Sequence, residues 1–341
     1  MILRNLYYYL TIIFIIILCN NTVVGNNIKN SAVVFMYHKF DVPKYPSTNI
    51  TSEQFQDHID EFSSKKYNVL SLNYIMDTII NDGDLPKNTI GISIDDADRS
   101  FLTFAWPIFK EKGLPVTLFV NTSTIVENNK NYLNWNEIRT LKKEGVDIGA
   151  HSHTHAHMPD LSIQDLKNEI AVSNKIFLKE LGEIPSLFAY PYGEADSRII
   201  EILKEYKFKV AFGQHSGVIN ETSNLYYLPR FSLNERYGNI DRVKFAANTK
   251  GIGVYDFIPF DPHIKENPPF IGFSLLDQEL SKSIDCFTFD SKGQVDSEVF
   301  KFNERIEIRL KRELTKGRSR LNCTAKDKFG NWRWFGHQFY L

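Results

Sequence analysis

The sequence predicts an α/β fold in which parallel strands form a barrel, followed by a small antiparallel β-sandwich. From Ser31 to about Lys250, short apolar runs alternate with amphipathic helical segments, which is the pattern of repeated βαβ units. Six or more such units favour a barrel over an open sheet. After Gly253 the hydrophobic period changes to two residues, which is typical of antiparallel strands.

The elements of the first part follow one another regularly. The run AVVFMYH (32–38) is a predicted strand, and a helix is predicted next because Phe55, Ile59 and Phe62 share one helical face. Ser162 is the expected N-cap of a long amphipathic helix. Further strands are predicted at 89–96, 115–121, 146–152, 187–193 and 209–213.

The second part begins after a proline-rich connection. The stretch DFIPFDPHIKENPPF (256–270) contains four prolines and indicates a linker, placed at 253–268. The segments RIEIRL and WRWFGHQFYL alternate apolar and polar residues, and KDKFGN before the second is a predicted hairpin turn. The predicted domains are therefore a barrel at 26–252 and a sandwich at 269–341.

Residues 1–25 form a separate N-terminal segment. The run Leu6–Cys19 is apolar apart from one threonine, and Arg4 precedes it. It is short for a membrane-spanning helix, which needs about 20 residues, and it is typical of a signal peptide; a membrane anchor is the alternative. We therefore expect an exported protein, with membrane association if the segment is retained. In that environment Cys286 and Cys323 either form a disulfide or remain buried free thiols.

The overall charge excludes one class of partner. The formal net charge is -1, so no basic composition indicates nucleic-acid binding.

Four histidines on alternate positions in GAHSHTHAHM raise the question of a metal site. On an extended strand His151 and His155 would lie about 13 Å apart, too far for one ion. A turn at 152–154 would bring residues four apart to within about 6 Å. Because the predicted strand VDIGAHS ends here, we expect that turn.

Asp95 and Asp96 close another predicted strand and supply carboxylates. Adjacent strand residues point in opposite directions, so one carboxylate can bind a metal while the other acts as a general base. Two histidines and one carboxylate form a catalytic zinc-type ligand set. A solvated acidic turn and a surface histidine cluster are the alternatives for each motif alone.

The motifs SIDD, HSHTH and YPYG resemble, in order and spacing, those of the polysaccharide deacetylases, carbohydrate esterase family 4, which contain the NodB homology domain. The resemblance covers about residues 31–235. It implies a distorted (β/α) barrel of the NodB type, a divalent metal ion, usually zinc, and removal of N-acetyl groups from a polysaccharide substrate.

The resemblance also implies roles for individual residues. Asp95 is the expected catalytic base, and the expected metal ligands are Asp96, His151 and His155. The main-chain amide of Tyr192 is expected to stabilise the oxyanion, with Pro191 of the same motif contacting the substrate.

The resemblance leaves two histidines as candidates for the general acid. The segment MYHKF resembles the branch that deacetylates poly-N-acetylglucosamine, in which a histidine of the N-terminal strand protonates the leaving amine. This implies His38 as the acid, with His215, which also follows a predicted strand, as the competitor and otherwise a substrate contact.

Three departures from the family pattern bear on the site. Ala97 replaces a glycine of the first motif, and Ala189 or Tyr190 occupies the usual arginine position of the third, so the base loses a partner. His153 and His157 are extra to the motif and are interpreted as residues around the metal site. Arg230 is expected to contact substrate or to pair with an acid.

These observations predict a metal-dependent N-deacetylase that acts on a glycan containing N-acetylglucosamine. The alternatives are a glycan-binding or biosynthetic scaffold without turnover and a metal-dependent amidase that acts on a non-sugar amide.

Overall fold

Eight strands form an entirely parallel sheet in the first domain of the computed structural model, which describes residues 28–127 and 129–341. The predicted N-terminal segment 1–25 lies outside the described residues. Two further short strands, β2 and β3, pair separately. The strands are β1 (Ala32–Tyr37), β2 (Lys39–Phe40), β3 (Asn49–Ile50), β4 (Asn68–Val69), β5 (Thr89–Ile94), β6 (Thr117–Val120), β7 (Asp147–Ala150), β8 (Leu187–Ala189), β9 (Val210–Phe212) and β10 (Phe231–Ser232).

The parallel sheet curves into a distorted barrel, as predicted. Its strand order is β10-β1-β5-β6-β7-β8-β9, with β4 beside β5. Leu228 forms a parallel bridge to Phe212 of β9, and three residues later Phe231 of β10 pairs with Phe35 of β1. One short segment therefore contacts both edges of the sheet and closes the barrel.

Helices connect the strands and cover the outside of the barrel. The face of the first helix that carries Phe55, Ile59 and Phe62 is buried, as the sequence period predicts. Ser162 caps the longest helix by accepting a hydrogen bond from the main-chain nitrogen of Asp165. The helices are α1 (Ser52–Phe62), α2 (Leu72–Ile80), α3 (Trp106–Glu111), α4 (Thr122–Val126), α5 (Trp135–Lys143), α6 (Ile163–Leu181), α7 (Ser197–Glu205) and α8 (Ile240–Ala247).

Two facing sheets form the predicted β-sandwich. Their strands are β11 (Lys250–Gly251), β12 (Val254–Ile258), β13 (Ile271–Leu275), β14 (Asp285–Asp290), β15 (Gly293–Val295), β16 (Ser297–Phe302), β17 (Arg305–Leu310), β18 (Arg318–Lys326) and β19 (Trp332–Tyr340). One sheet has the order β11-β19-β18-β14-β15 and the other β12-β13-β17-β16. Phe273, Ile308, Leu321 and Phe339 pack in the core between them.

The expected linker at 253–268 needs correction, because its first residues form a strand. Residues 254–258 make β12, which pairs with β13 at the edge of the second sheet. The prolines that indicated a linker follow this strand, so only the later part of the range connects one strand to the next. Of the two possibilities for the cysteines, the disulfide is present: Cys286 on β14 and Cys323 on β18 are direct register partners.

The last strand of the sandwich fastens the second domain to the barrel. Gln338 donates a side-chain hydrogen bond to the carbonyl of Gly193 at 2.8 Å. The Tyr227 hydroxyl lies 2.9 Å from the same oxygen, and the Tyr340 hydroxyl donates to Asp160. The second domain is thus fixed against the turn Pro191–Gly193. Within the described ranges, no helix has both the length and the hydropathy needed to cross a bilayer.

Candidate metal centre and active-site cleft

Asp96, His151 and His155 converge at the carboxyl end of the barrel strands. Their candidate ligand atoms all lie within 4.8 Å of one another. Asp96 Oδ1 is 3.6 Å from His151 Nε2 and 3.3 Å from His155 Nε2. Asp96 follows β5 and the histidines follow β7, so the parallel sheet brings both motifs to one edge.

The donor set fits a divalent cation. Asp96 Oδ1 and His151 Nε2 are both buried, and neither has a hydrogen-bond partner among the described residues. Buried polar atoms are normally paired, so two facing acceptors without donors indicate a site for a cation. The other ring nitrogen of His151, Nδ1, donates to the carbonyl of Ala189 at 2.7 Å, which leaves the Nε2 lone pair free to bind a metal.

The electrostatics of the three residues agree with this role. Burial lowers the pKa of His151 to about 4, so its imidazole is neutral at neutral pH. Burial alone would raise the pKa of Asp96, but His155 and the neighbouring histidines hold it well below its usual range. A neutral imidazole and an ionised carboxylate are the forms that bind metal.

A short turn after β7 brings the rings of His151 and His155 to within 4.9 Å of each other, and the sequence predicts this turn. Glu169 of α6 accepts hydrogen bonds from the main-chain nitrogens of His153 and Thr154 at 3.1 and 2.8 Å. Ser152 Oγ accepts from the main-chain nitrogen of His155. Glu169 carried no signal in the sequence, because its position in a regular amphipathic helix predicts only a partly solvated acid.

Several residues around the centre adopt a left-handed backbone that disfavours side chains. A positive φ is strained for residues other than glycine. At Ala97 the positive φ agrees with the glycine that the resemblance implies at this position, because glycine adopts a positive φ without strain. Alanine adopts the same φ with only a single methyl group as its side chain. These non-glycine residues are Asp96, Ala97, Ser152, His155 and Tyr192, with φ between 56° and 75°.

Asp95, the chain neighbour of the candidate ligand Asp96, is paired with Arg230. The two guanidinium nitrogens Nη1 and Nη2 contact the two carboxylate oxygens at 2.7 and 2.9 Å, and both side chains are fully buried. Arg230 also donates to the carbonyl of Gly213 and to Ser93 Oγ. Burial would raise the pKa of Asp95, but Arg230, followed by His151 and His38, keeps it below its usual value.

His38 borders the same site from the end of β1. Its Nε2 atom is 4.0 Å from Asp95 Oδ2, and its side chain is 13% exposed. With Asp96 and His155 it lines a cleft of about 980 Å³. It therefore has access both to the buried base and to a ligand in the cleft.

Tyr192 lies at the wall of this cleft, in the 3-10 turn Pro191–Gly193. Its ring is 4.6 Å from that of His155 and stacks on His157 at 4.0 Å. His157 in turn contacts Glu194 through Nδ1. His157 thus supports the tyrosine, whereas the ring of His153 turns to the hydroxyl of Thr122.

The sandwich domain completes the cleft. Residues of the β14–β15 hairpin and of β18 and β19 line it opposite the end of the barrel. Periodicity could not predict this arrangement, since it describes each strand alone and not the packing of one domain against another.

The comparisons with known proteins agree with the fold and the motifs. Residues 82–211 match the family model described as polysaccharide deacetylase. In this range the chain is similar to the polysaccharide deacetylases. The matched range contains Asp95, Asp96 and the histidine motif, whereas His38 and Arg230 lie outside it.

Among relatives, the poly-β-1,6-N-acetyl-D-glucosamine N-deacetylase of Staphylococcus aureus is 23% identical over 221 residues, or 61% of this chain and 75% of that protein. The structure of Streptococcus pyogenes deacetylase PplD in complex with acetate aligns with a TM-score of 0.60 and 18% identity, covering 64% of this chain and 99% of that one. IcaB from Ammonifex degensii aligns with a TM-score of 0.55 and 18% identity, covering 64% and 97%. At these identities the structural likeness shows the fold alone.

The structure of the barrel domain shows where the three residues that were expected to contact substrate lie. Arg230 is fully buried and pairs with an acid, which is the second of its two predicted roles. His215 is 1% exposed and packs against the rings of Tyr227 and His337, so it faces the domain interface and not the cleft. Pro191 is buried and begins the turn that presents Tyr192.

The predicted loss of a partner for the base is therefore compensated from another strand. Ala189 at the end of β8, or Tyr190 after it, occupies the position where the resemblance implies an arginine, and Arg230 approaches Asp95 from the segment just before β10 instead. The sequence carries a signal for this arrangement only in the isolated arginine of YLPRF, whose partner is 135 residues away.

We expect the purified protein to contain about one divalent metal ion per chain, because the three ligands form a preorganised set. Elemental analysis should find that His151→Ala and Asp96→Asn lose the metal, whereas Asp95→Asn retains it. His153→Ala is the matched histidine control, since its ring is directed to Thr122. Equal metal content in His151→Ala and His153→Ala would contradict the assignment.

Arg230→Gln should lower the free energy of unfolding by about 3–5 kcal/mol, because it leaves the Asp95 carboxylate buried and unpaired. Urea denaturation of Arg230→Gln, Asp95→Asn and the double variant would measure the coupling. We expect the double variant to be less destabilised than the sum of the single variants. Additive losses would mean that the two side chains do not stabilise each other.

Proposed function

We propose that the protein is an exported, metal-dependent polysaccharide N-deacetylase that releases acetate from N-acetylglucosamine residues. The observation that carries the proposal is the convergence of Asp96, His151 and His155 at the edge of one cleft, with the buried Asp95 and the partly exposed His38 close to each other at the same site. Similarity to the Staphylococcus aureus N-deacetylase supports the choice of N-acetylglucosamine.

Each residue of the site has a distinct task in this reaction. A divalent cation held by Asp96, His151 and His155 would supply a Lewis acid that polarises the acetamide carbonyl and acidifies water. Asp95, oriented by Arg230, accepts the proton of the attacking water. The turn at Tyr192 offers a main-chain amide for the oxyanion.

His38 completes the reaction by protonating the leaving amine. An amine is a poor leaving group unless it receives a proton, and histidine is the usual donor near neutral pH. His38 is close to Asp95 but is partly exposed to the cleft, where the sugar nitrogen would lie. The base and the acid thus approach the acetamide from different strands.

Export is supported by two features of the chain. The apolar N-terminal run is typical of a signal peptide or anchor. The Cys286–Cys323 disulfide suits an oxidising compartment outside the cytoplasm.

Acetate release by the metal-reconstituted protein tests the proposal. We expect release from N-acetylglucosamine oligomers, including β-1,6-linked ones, and none from Asp95→Asn, which lacks the base but should retain metal. N-acetylated peptides form a second substrate panel. Release from the peptides alone would identify an amidase that acts on non-sugar amides, and release from neither panel would contradict enzymatic turnover.

His38→Ala should lower kcat for amide substrates by about two to four orders of magnitude, the usual contribution of general acid catalysis. Its metal content should equal that of the wild type. Acetate esters, whose leaving group needs less protonation, should lose much less activity. His153→Ala, the control, should remain within a few-fold of the wild type. If His38→Ala behaves like the control on amides, another residue protonates the amine.

A further inference from the structure

Five basic side chains border the cleft beside the metal ligands. Arg236 and Arg242 belong to the barrel domain, and Lys292, Arg318 and Arg320 belong to the sandwich. We call these five residues the basic cluster. Lys292 lies in the β14–β15 hairpin and the two sandwich arginines lie on β18, so both domains contribute positive charge to one cleft.

Among the described residues, an acidic side chain pairs with one of the five members of the basic cluster, Arg318. Asp290 also lines the cleft, but it is paired with Arg312. Arg318 Nε is 3.6 Å from Glu194 Oε1. Over residues 28–127 and 129–341, no carboxylate oxygen lies within the 4.0 Å of an ion pair from Arg236, Arg242, Lys292 or Arg320.

Within the basic cluster, Arg320 gives the strongest indication of a bound anion. Its Nε atom is buried and has no hydrogen-bond partner among the described residues. Burial, and after it the nearby Arg318, lowers the pKa of Arg320. A partly desolvated guanidinium without a counter-ion is costly, so the arrangement favours an anion that comes from outside the chain.

Arg242 presents a guanidinium that is held in place from behind. Its Nη1 atom donates to the carbonyls of Ser232 and Tyr237 at 3.2 and 2.8 Å. The guanidinium also lies 5.2 Å from the ring centre of Tyr237. These contacts fix the group without neutralising it, which is the arrangement expected of a preorganised anion contact.

The basic cluster begins next to the metal ligands. Arg318 Nη1 donates to the carbonyl of Tyr192 at 3.3 Å, and the ring of Tyr192 lies 4.6 Å from that of His155. A sugar whose acetamide reaches the metal ligands would therefore place a neighbouring sugar against these cations.

We infer that the substrate is an acidic polysaccharide in which a carboxylate or phosphate group lies beside the N-acetylglucosamine residue that loses its acetyl group. This inference rests on the proposed function and narrows its substrate class. A neutral polymer would leave four of the five residues of the basic cluster without a counter-ion. The same charges repel the ammonium group of the deacetylated product and so favour its release.

Pairs of matched substrates distinguish recognition of the anionic group from recognition of the sugar. One oligosaccharide alternates N-acetylglucosamine with glucuronic acid, and its control is the same oligosaccharide with every carboxylate reduced to an alcohol. A third substrate is an N-acetylglucosamine oligomer joined by phosphodiester links, and its control is a neutral glycosidic oligomer of equal length. We expect kcat/KM for acetate release to be about tenfold higher or more on at least one acidic substrate than on its neutral control at low salt.

Salt and charge variants test whether the basic cluster causes the preference. The preference should decrease towards one at about 0.5 M salt, where exposed charges are screened. Lys292→Gln should reduce it several-fold. Lys301→Gln, which removes an exposed lysine from β16 outside the cleft, should leave it unchanged. Arg320→Gln should reduce it about tenfold, with circular dichroism and metal content showing that the variant is folded.

The outcomes distinguish the two proposals. Equal kcat/KM on the acidic and neutral substrates of the wild type would overturn the acidic-substrate inference while leaving deacetylation intact. The inference would also be overturned if Lys292→Gln and Lys301→Gln reduced the preference for acidic substrates equally. The net charge of the protein, and not the charge of the cleft, would then cause the preference. Acetate release from none of the four substrates would overturn the proposed function itself. The carboxylate and phosphodiester arms identify which anion is recognised.

Discussion

The buried ion pair between Asp95 and Arg230 is the interaction on which the arrangement of the site depends. It joins the end of β5 to the segment that closes the barrel, and Arg230 also contacts the carbonyl of Gly213 directly after β9. Replacing the paired charges by apolar residues would stabilise a core of this size at least as well. The ion pair acts mainly by positioning, because the bidentate contact fixes the orientation of the Asp95 carboxylate next to the candidate ligand Asp96.

Strained backbone around the metal ligands is stabilised by polar contacts from more distant elements. The left-handed residues Ser152 and His155 lie in a turn that Glu169 of α6 holds through two main-chain nitrogens. Tyr192, also left-handed, lies in a turn that Gln338 of the sandwich contacts through Gly193. The helix and the second domain therefore act as supports for ligands on other strands, which rigid scaffolds commonly do for functional loops.

Much of the fold and the approach of the candidate metal ligands to one another could be predicted from the sequence, because both leave local signals. Apolar period identified β1, α1 and the late sandwich strands, and the end of a predicted strand at His151 predicted the turn that makes two histidines converge. The partner of Asp95 could not be predicted in this way, because Arg230 lies 135 residues away and any strand end could supply it. Strand β12 was missed because the nearby prolines dominate the local signal, although they follow the strand itself.

The barrel and the sandwich contribute different parts of the site. Every residue assigned to the chemistry, from His38 to Tyr192, belongs to the barrel, whose parallel strands necessarily end at one edge. The sandwich contributes the facing wall, and β19 anchors it to the turn that carries Tyr192. Substitutions in the β14–β15 hairpin can therefore alter the wall of the cleft, whereas Arg318 of β18 donates to the carbonyl of Tyr192 and so also contacts that turn. Substitution of Gln338, which contacts Gly193, acts on the turn that carries Tyr192. The two domains are therefore coupled through this turn, which borders both the cleft and the candidate metal ligands.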